Sequence, residues 1–376
     1  MPRVPPNPWD RQSPDWREKT LPAHFSLHLS PNRLDSLGAK PKQMVHRFHQ
    51  KWVSASVRTC RNACIAFLLL SACSAASAGA AKLALPAETP AVLEKIYAFD
   101  IEAAVEAAKR MEVEHPEHPL GYLLEAEALW WKIWCTSTEF KYGMSDARHR
   151  PKFEADQRYF QLAAKASSLA EAQIKQHETA EMQFYAGMAD ATAARLYGLR
   201  GENRNTARSG VRGREHLLRA KTLDPSLADA DMGLGLYNYY VDTLSAMARV
   251  LRFLMGIPGG SKQDGVRQLE HAIADGALTS ELARFYLAMI LHRYDQQYEK
   301  ALAIIGPLAE KYPANPIFQL ARGDLNAKLG RKEKALLCYR AAASLKIQDA
   351  ECQAHVRELA RVSIEALGGI ATSSPH

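Results

Sequence analysis

The residue patterns of this chain that point to a function are typical of binding another molecule, and none is typical of catalysis. Trp130 and Trp134 stand one helical turn apart, so a helix would place both side chains on one face. Aromatic side chains dominate the energetics of protein interfaces, and two of them on one face would suit an apolar or peptide partner. The alternative, in which these tryptophans pack between helices as core, stays open at this point.

A second group of candidate binding residues is Tyr237, Asn238 and Tyr240, within the run Tyr-Asn-Tyr-Tyr. Tyr237 and Tyr240 are three residues apart and would share a helix face. Phenol and amide groups both donate and accept hydrogen bonds, which suits recognition of an extended peptide. Core packing would account for some of these tyrosines instead.

Arginines at every fourth position predict a basic stripe along one helix face. They are Arg200, Arg204, Arg208 and Arg212. Such a stripe would attract an anionic partner, such as an acidic protein, phospholipid headgroups or lipopolysaccharide. Gly201, Gly210 and Gly213 weaken the case for a continuous helix, and a solvated loop or helix face is the alternative.

Catalytic and metal-binding patterns do not stand out in the sequence. We find no Ser/His/Asp or Cys/His set, no His-Glu-x-x-His and no paired acids. We therefore predict no catalytic residue, no cofactor and no metal. His115 and His118 lie among glutamates, but the flanking prolines indicate a solvated turn. Gly256–Lys262 is glycine-rich, but it lacks the Gly-Lys-Ser/Thr order of a phosphate loop and predicts a turn.

Three of the six cysteines lie in the body of the chain, at Cys135, Cys338 and Cys352. Their odd number and the lack of a Cys-x-x-Cys spacing argue against a zinc site and a disulfide framework. Cys338 and Cys352 could pair in an oxidising compartment. The alternative is that these cysteines are small, buried apolar side chains.

The elements that must position these residues are helices. Alanine and leucine are abundant and strand-like runs of Val, Ile and Thr are absent, so we predict an all-α fold. A 34-residue period relates segments 282–315 and 316–349. In the second segment Gly323 and Ala335 stand at repeat positions 8 and 20, where small residues let two helices cross closely. Pro313 ends the second helix of the first segment.

This pattern resembles the tetratricopeptide repeat. The resemblance covers about 270 residues, within 91–367, and is specific in the last two units. It implies a right-handed α-solenoid of about five antiparallel helix pairs, with a concave face lined by the first helix of each pair. That face would hold Tyr237, Asn238 and Tyr240.

Two long helices and three insertions are predicted to distort the array. The helices span 181–197 and 229–254, and the insertions lie around 138–152, 198–212 and 255–263. Such loops carry function more often than packed helix faces do.

The N-terminal part of the chain has the composition of a targeting segment. Residues 1–43 are rich in proline and polar residues and are predicted to be a disordered or mis-called extension. Residues 44–72 combine a basic start with a short apolar run, which is typical of a secretory signal peptide. Residues 73–90 would form a flexible tether, and 368–376 a disordered tail.

Cys73 follows Leu-Ser-Ala at the end of the apolar run. This order resembles the lipobox of bacterial lipoproteins, which implies that Cys73 is lipidated. Cleavage after the following Ala-Ser-Ala is the alternative. Residues 1–72 hold eleven Lys or Arg and four Asp or Glu, which accounts for the whole net charge of +7. The repeat domain is therefore balanced in charge, and we predict no nucleic-acid partner.

These features predict a non-catalytic protein–protein interaction scaffold of the bacterial cell envelope. It would be exported, as a periplasmic protein or a lipoprotein anchored through Cys73, and would bind a protein or peptide. One alternative, from analogy of fold alone, is a component of an outer-membrane assembly or transport machine. A second is an enzyme with a site among the inserted loops.

Overall fold

The computed structural model describes residues 83–136, 154–245, 248–249, 252–253 and 256–368. These residues belong to one compact unit of the chain, and their regular elements are helices. The predicted all-α class is confirmed. The insertion predicted around 138–152 lies outside the described residues. So do the N-terminal extension, the signal peptide, Cys73 and nearly all of the predicted C-terminal tail.

We number the thirteen helices of the described residues in chain order. The first seven are α1 Thr89–Tyr97, α2 Ile101–Glu114, α3 Leu120–Thr136, α4 Glu154–Gln176, α5 Ala180–Leu199, α6 Asn203–Leu223 and α7 Asp229–Asp242. The remaining six are α8 Lys262–Asp275, α9 Ser280–Arg293, α10 Tyr298–Lys311, α11 Pro316–Lys328, α12 Lys332–Ser344 and α13 Ala350–Ala366.

Short polar side chains begin several of these helices. Thr179, Ser261 and Asp349 each accept a hydrogen bond from the backbone N–H three residues ahead, which satisfies a donor that the helix leaves open. Pro225 and Pro313 follow the ends of α6 and α10, where a missing N–H helps to stop a helix. The sequence thus marks many helix boundaries locally.

The helices form an α-solenoid with an inner and an outer layer. Successive helices pack against one another along the chain. Inner helices are buried nearly all round, as in α9, where nine of fourteen residues are buried. Outer helices bury a single stripe, as in α10, where four of fourteen residues are buried. Helices α3, α5, α7, α9 and α11 are inner, and the even-numbered helices are outer.

The described residues contain six helix pairs, from α1/α2 to α11/α12, and a final helix α13. The sequence indicated about five. The last two pairs coincide with the repeats found by their period. A side chain added at Gly323 would lie 2.6 Å from the ring of Tyr339, and Ala335 is fully buried, so both predicted crossing positions do require small residues.

The insertion predicted around 198–212 is wrong. Helix α6 runs unbroken from Asn203, and only a short turn containing Gly201 precedes it. Gly213 belongs to the helix because α5 crosses there: a side chain at Gly187 or at Gly213 would lie 3.0 Å from the other residue's carbonyl oxygen. Gly213, which argued against a helix, is thus a residue that lets two helices meet. A side chain at Gly210 would approach only the ring of Tyr237, at 3.9 Å, and Gly201 lies in the turn before α6.

The single helix predicted over 229–254 is also wrong. Helix α7 ends at Asp242, and residues 243–245 are not helical. The chain then returns along α7, where a side chain at Gly260 would lie 2.6 Å from the carbonyl oxygen of Asn238. Residues 256–261 form the connection to α8, as the sequence predicts for that stretch.

The array closes on itself, because α13 packs against α3. Cys135 of α3 and Cys352 of α13, 217 residues apart in sequence, form a disulfide, and Cys338 is free and buried. Nearby, Lys132 Nζ lies 2.9 Å from Asp349 Oδ2. The pairing considered from the sequence, Cys338 with Cys352, is wrong, because closure brings two distant cysteines together. Cys338 fits the alternative of a small, buried side chain.

Closure also removes the open concave face that the repeat resemblance implies. The ring of Trp131 on α3 contacts Tyr97 of α1, Phe285 of α9 and Phe318 of α11. Asn315, which caps α11, donates a hydrogen bond from Nδ2 to the carbonyl oxygen of Tyr97, at 2.9 Å. The chain's own aromatic side chains therefore fill the interior.

The packed part of the chain starts earlier than predicted. Helix α1 begins at Thr89, and Leu83 ahead of it is buried in the core. The last residues of the segment predicted as a tether, 73–90, are thus part of the folded body.

The closing disulfide predicts a specific loss of stability. Replacing Cys135 and Cys352 together with serine should lower the free energy of unfolding by about 2–5 kcal/mol, because the unfolded chain loses a long cross-link. Denaturant unfolding followed by circular dichroism measures this loss. Cys338→Ala is the matched control and should unfold near the parent. Equal stability of the double variant and the parent would show that closure does not depend on the disulfide.

Candidate functional site

Trp130 and Trp134 lie in the interior of the array. Each side chain is only 3% exposed. Trp134 packs against Phe285 and Tyr286 of α9, with ring centroids 4.9 and 5.9 Å away, and Trp130 packs against Trp134. The structure therefore supports the core interpretation, and neither tryptophan lines an open groove.

A polar cluster lies beside these tryptophans and joins four helices. The guanidinium of Arg195 on α5 donates to Glu127 Oε2 of α3 at 2.7 Å and to the hydroxyl of Tyr159 of α4 at 3.0 Å. Its Nη1 donates to the hydroxyl of Tyr286 on α9 at 3.4 Å. The same guanidinium lies 4.5 Å from the ring centre of Trp130, a distance typical of a cation–π contact.

The chemistry of this cluster suits a role in holding the four helices in position. Burial raises the pKa of the Tyr159 and Tyr286 hydroxyls above the ordinary value, so both stay protonated at neutral pH. They act as neutral hydrogen-bond partners of a guanidinium whose charge Glu127 balances. Removing one member of such a buried pair leaves an uncompensated charge and costs far more than losing a surface ion pair.

Two carboxyl groups that no sequence pattern pairs lie close together between α2, α3 and α4. Arg158 binds Glu125 through two hydrogen bonds of 2.9 and 2.6 Å, and its Nη2 lies 3.9 Å from Glu112 Oε2. Burial, a hydrogen bond to Glu125 and the repulsion of that carboxylate raise the pKa of Glu112 from 4.5 to about 7. This pair does not stand out in the sequence, because two different helices supply the two acids.

The predicted basic stripe is not continuous. Arg200 lies in the turn after α5, is buried, and binds Asp156 of α4 through bonds of 2.7 and 2.8 Å. Arg212 of α6 binds Asp190 of α5, with one bond of 3.2 Å. Arg204 and Arg208 remain exposed on α6. Half of the stripe therefore stabilises helix contacts, and the four arginines do not form one anion-binding surface.

The three residues predicted from the tyrosine run lie in different environments. The hydroxyl of Tyr237 donates to the carbonyl oxygen of Pro258 at 2.9 Å, and Asn238 Nδ2 donates to Gln268 Oε1 at 2.7 Å. Both groups hold α7 to the segment that follows it. Tyr240 is 38% exposed and stacks edge-on against Tyr294. Of the three, Tyr240 alone presents its ring to the surface.

Other buried acids also serve helix contacts. Asp231 of α7 binds Lys221 of α6 at 2.9 Å and His271 of α8 at 2.6 Å. Asp229 accepts hydrogen bonds from the backbone N–H groups of residues 277–279, in the connection before α9. In both cases an acid on an inner helix pairs with donors on neighbouring elements of the array.

The histidines of the turn after α2 do not converge. His118 accepts a hydrogen bond from the backbone N–H of Leu120, and its ring packs against Tyr185. His115 instead lies near the surface carboxylates of Glu88 and Glu114, with all three potential ligand atoms within 4.8 Å of one another. Exposed groups of this kind are common without an ion, and we assign no metal to them.

An open groove lies on the outer layer between α10 and α12, with α11 beneath it. We call it the α10–α12 groove; its volume is about 510 Å³. Apolar side chains line part of it, among them Leu302 of α10 and Leu337 of α12, and Leu337 is 65% exposed. The signal that could have revealed it is this leucine, which stands on α12 outside the stripe that packs inward.

The remaining lining of the α10–α12 groove is polar. Arg322, Arg331 and Lys334 are its cationic members, and Glu310 is its carboxylate. Asn326 donates from Nδ2 to the carbonyl oxygen of Arg322 at 2.8 Å. Its Oδ1 is buried and has no hydrogen-bond partner within the described part of the chain. This oxygen is enclosed by the protein, so the polar surface that the groove offers to a ligand comes from the charged side chains.

Comparison with known proteins does not identify this chain. No protein-family model matches it, and no curated protein matches it. Among the helices of the described residues, none combines the length and the apolar character needed to cross a membrane.

The raised pKa of Glu112 predicts a pH-dependent stability. The folded pKa of about 7 exceeds the ordinary 4.5, so the stability that protonated Glu112 contributes is complete below pH 4.5 and is lost as the pH rises through 7. Glu112→Gln mimics the protonated acid. At about pH 8 it should melt about 2–4 °C above the parent, and at about pH 5 the two should melt alike.

Differential scanning calorimetry at the two pH values measures this difference. Glu106→Gln, at an exposed position on the same helix α2, is the control and should show no such pH dependence. A Glu112→Gln protein that melts below the parent at the higher pH would contradict the assignment.

Proposed function

We propose that this protein is a non-catalytic interaction scaffold of the bacterial cell envelope, built from tetratricopeptide-like helix pairs. The observation that carries the proposal is the disulfide between Cys135 and Cys352, which joins α3 to α13. Disulfides form and persist in oxidising compartments such as the periplasm and are rare in the cytosol. The disulfide thus supports the export that the N-terminal sequence predicts.

The use of the buried charged groups supports binding over catalysis. Arg195, Arg200 and Asp231 each bind a neighbouring helix through short hydrogen bonds, which makes the array rigid. A rigid helical scaffold presents a fixed outer surface to a partner. The α10–α12 groove is a concave binding surface on that outer layer. Preorganised surfaces of this kind bind partners with a low cost in conformational entropy.

Affinity capture tests this function. The full chain, tagged at its C-terminus and exported by bacteria, is captured from solubilised envelopes, and bound proteins are identified by mass spectrometry. The expected result is an envelope protein present in amounts comparable to the bait. The same chain unfolded before capture is the control.

Each outcome of the capture has a definite meaning. Proteins that assemble outer-membrane barrels, if they dominate the captured set, would favour the assembly-machine alternative. Recovery of no protein above the unfolded control, with the export of the bait established, would overturn the scaffold proposal.

Membrane attachment tests the lipid anchor separately. Cys73→Ala should move the protein from the membrane fraction to the soluble periplasmic fraction, because acyl chains supply the anchoring in a lipoprotein. Fractionation and immunoblotting measure this change. Cys64→Ala, inside the apolar run of the same segment, is the matched control and should fractionate as the parent does. Membrane retention of the Cys73→Ala protein would show that no lipid on this cysteine holds it there.

A further inference from the structure

We infer that the α10–α12 groove binds an acidic peptide segment of a protein partner, with one apolar side chain seated between α10 and α12. This inference rests on the proposed scaffold function and deepens it. The docking surface lies on the outer layer, and the chemistry of the segment that docks there follows from the residues that line the groove.

The apolar part of the groove requires an apolar side chain from the partner. Leu337 is exposed on α12, although its neighbours Ala335 and Tyr339 are fully buried. Leu302 and Gly306 face it from α10, and a side chain added at Gly306 would meet no atom within 4 Å. The space above Gly306 therefore admits a side chain that covers Leu337 and removes it from water.

The mixed lining of the groove favours a peptide over an isolated apolar group. Leu302 and Leu337 are apolar, whereas Arg322 and Lys334 are cationic. A peptide segment can present one apolar side chain and several charged side chains to such a lining at the same time.

The charge of the groove lining favours an acidic segment of the partner. Three cationic side chains line the groove against one carboxylate. Arg322 pairs with Glu310 at 3.0 Å, and Arg331 pairs with Glu299 at 2.6 Å. Lys334 is exposed, and within the described residues it forms no ion pair. Carboxylates of a partner would bind Lys334 first and share the arginines.

Two other occupants fit the groove less well. Residues 1–72 of the chain carry the whole net positive charge, so the cationic lining would repel them. An anionic bilayer satisfies the charge, but a flat headgroup surface cannot fill a recess of about 510 Å³. The acidic peptide meets the apolar and charge requirements together.

Peptide selection tests the inference without knowledge of the natural partner. A random peptide library displayed on phage is selected against the full, exported chain, and enriched peptides are synthesised with a fluorescent label. We expect enriched sequences in which Asp or Glu flank a Leu, Ile or Phe. Anisotropy should show about tenfold weaker binding, or more, to the Lys334→Glu and Leu337→Ala proteins than to the parent.

Matched controls separate the groove from general effects of charge and exposure. Arg340→Glu makes the same kind of charge change at an exposed position of α12 that does not line the groove. Val113→Ala removes another exposed apolar side chain, on α2. Both control proteins should bind the selected peptides as the parent does. Vesicles of an anionic phospholipid, tested in parallel, should not bind through Lys334.

The outcomes distinguish this inference from the scaffold function. Absence of acidic sequences, or equal binding by the parent and both groove variants, overturns the inference. Binding to the anionic vesicles that Lys334→Glu abolishes also overturns it, in favour of a membrane surface. The envelope partner captured by the parent should be lost with Leu337→Ala. Retention of that partner would overturn the groove assignment and leave the scaffold function standing.

Discussion

Burial of α3 on nearly every side is the constraint on which the closed array depends. Fourteen of its seventeen residues are buried. Trp131 alone touches α1, α9 and α11, and α13 packs against the same helix. Aromatic side chains of this size bury about 150–250 Å² each, so one helix supplies a large share of the apolar area that holds the two ends of the array together.

Charged groups determine how the other helices are placed around this core. Arg195 binds Glu127 of α3 and the hydroxyl groups of two tyrosines, so α4, α5 and α9 take up fixed positions relative to α3. Arg200 with Asp156 adds a second link between α4 and the end of α5, and Arg212 with Asp190 joins α6 to α5. A buried charge tolerates only the arrangement that pairs it, which gives these contacts specificity beyond their energy.

The sequence predicted local features and missed those that depend on closure. The 34-residue period predicted α9 to α12, because the small residues at Gly323 and Ala335 are required by contacts within one helix pair. For Trp130, Trp134 and the arginine stripe the sequence leaves binding and packing both open, because their partners, such as Phe285 and Asp156, are remote in sequence. The α10–α12 groove was missed for a related reason: one exposed leucine identifies it only after the packed stripe of α12 is known.

The link between Cys135 and Cys352 also bears on how the protein folds. The two cysteines are 217 residues apart, and the helices from α4 to α12 lie between them in the chain. In an open repeat array each unit contacts only its neighbours, so folding can start at any unit and spread along the chain. Here the bond forms only after the intervening helices have packed and brought α13 against α3. The closing bond therefore makes the two ends of the array fold as one unit, which neighbour contacts alone would not require.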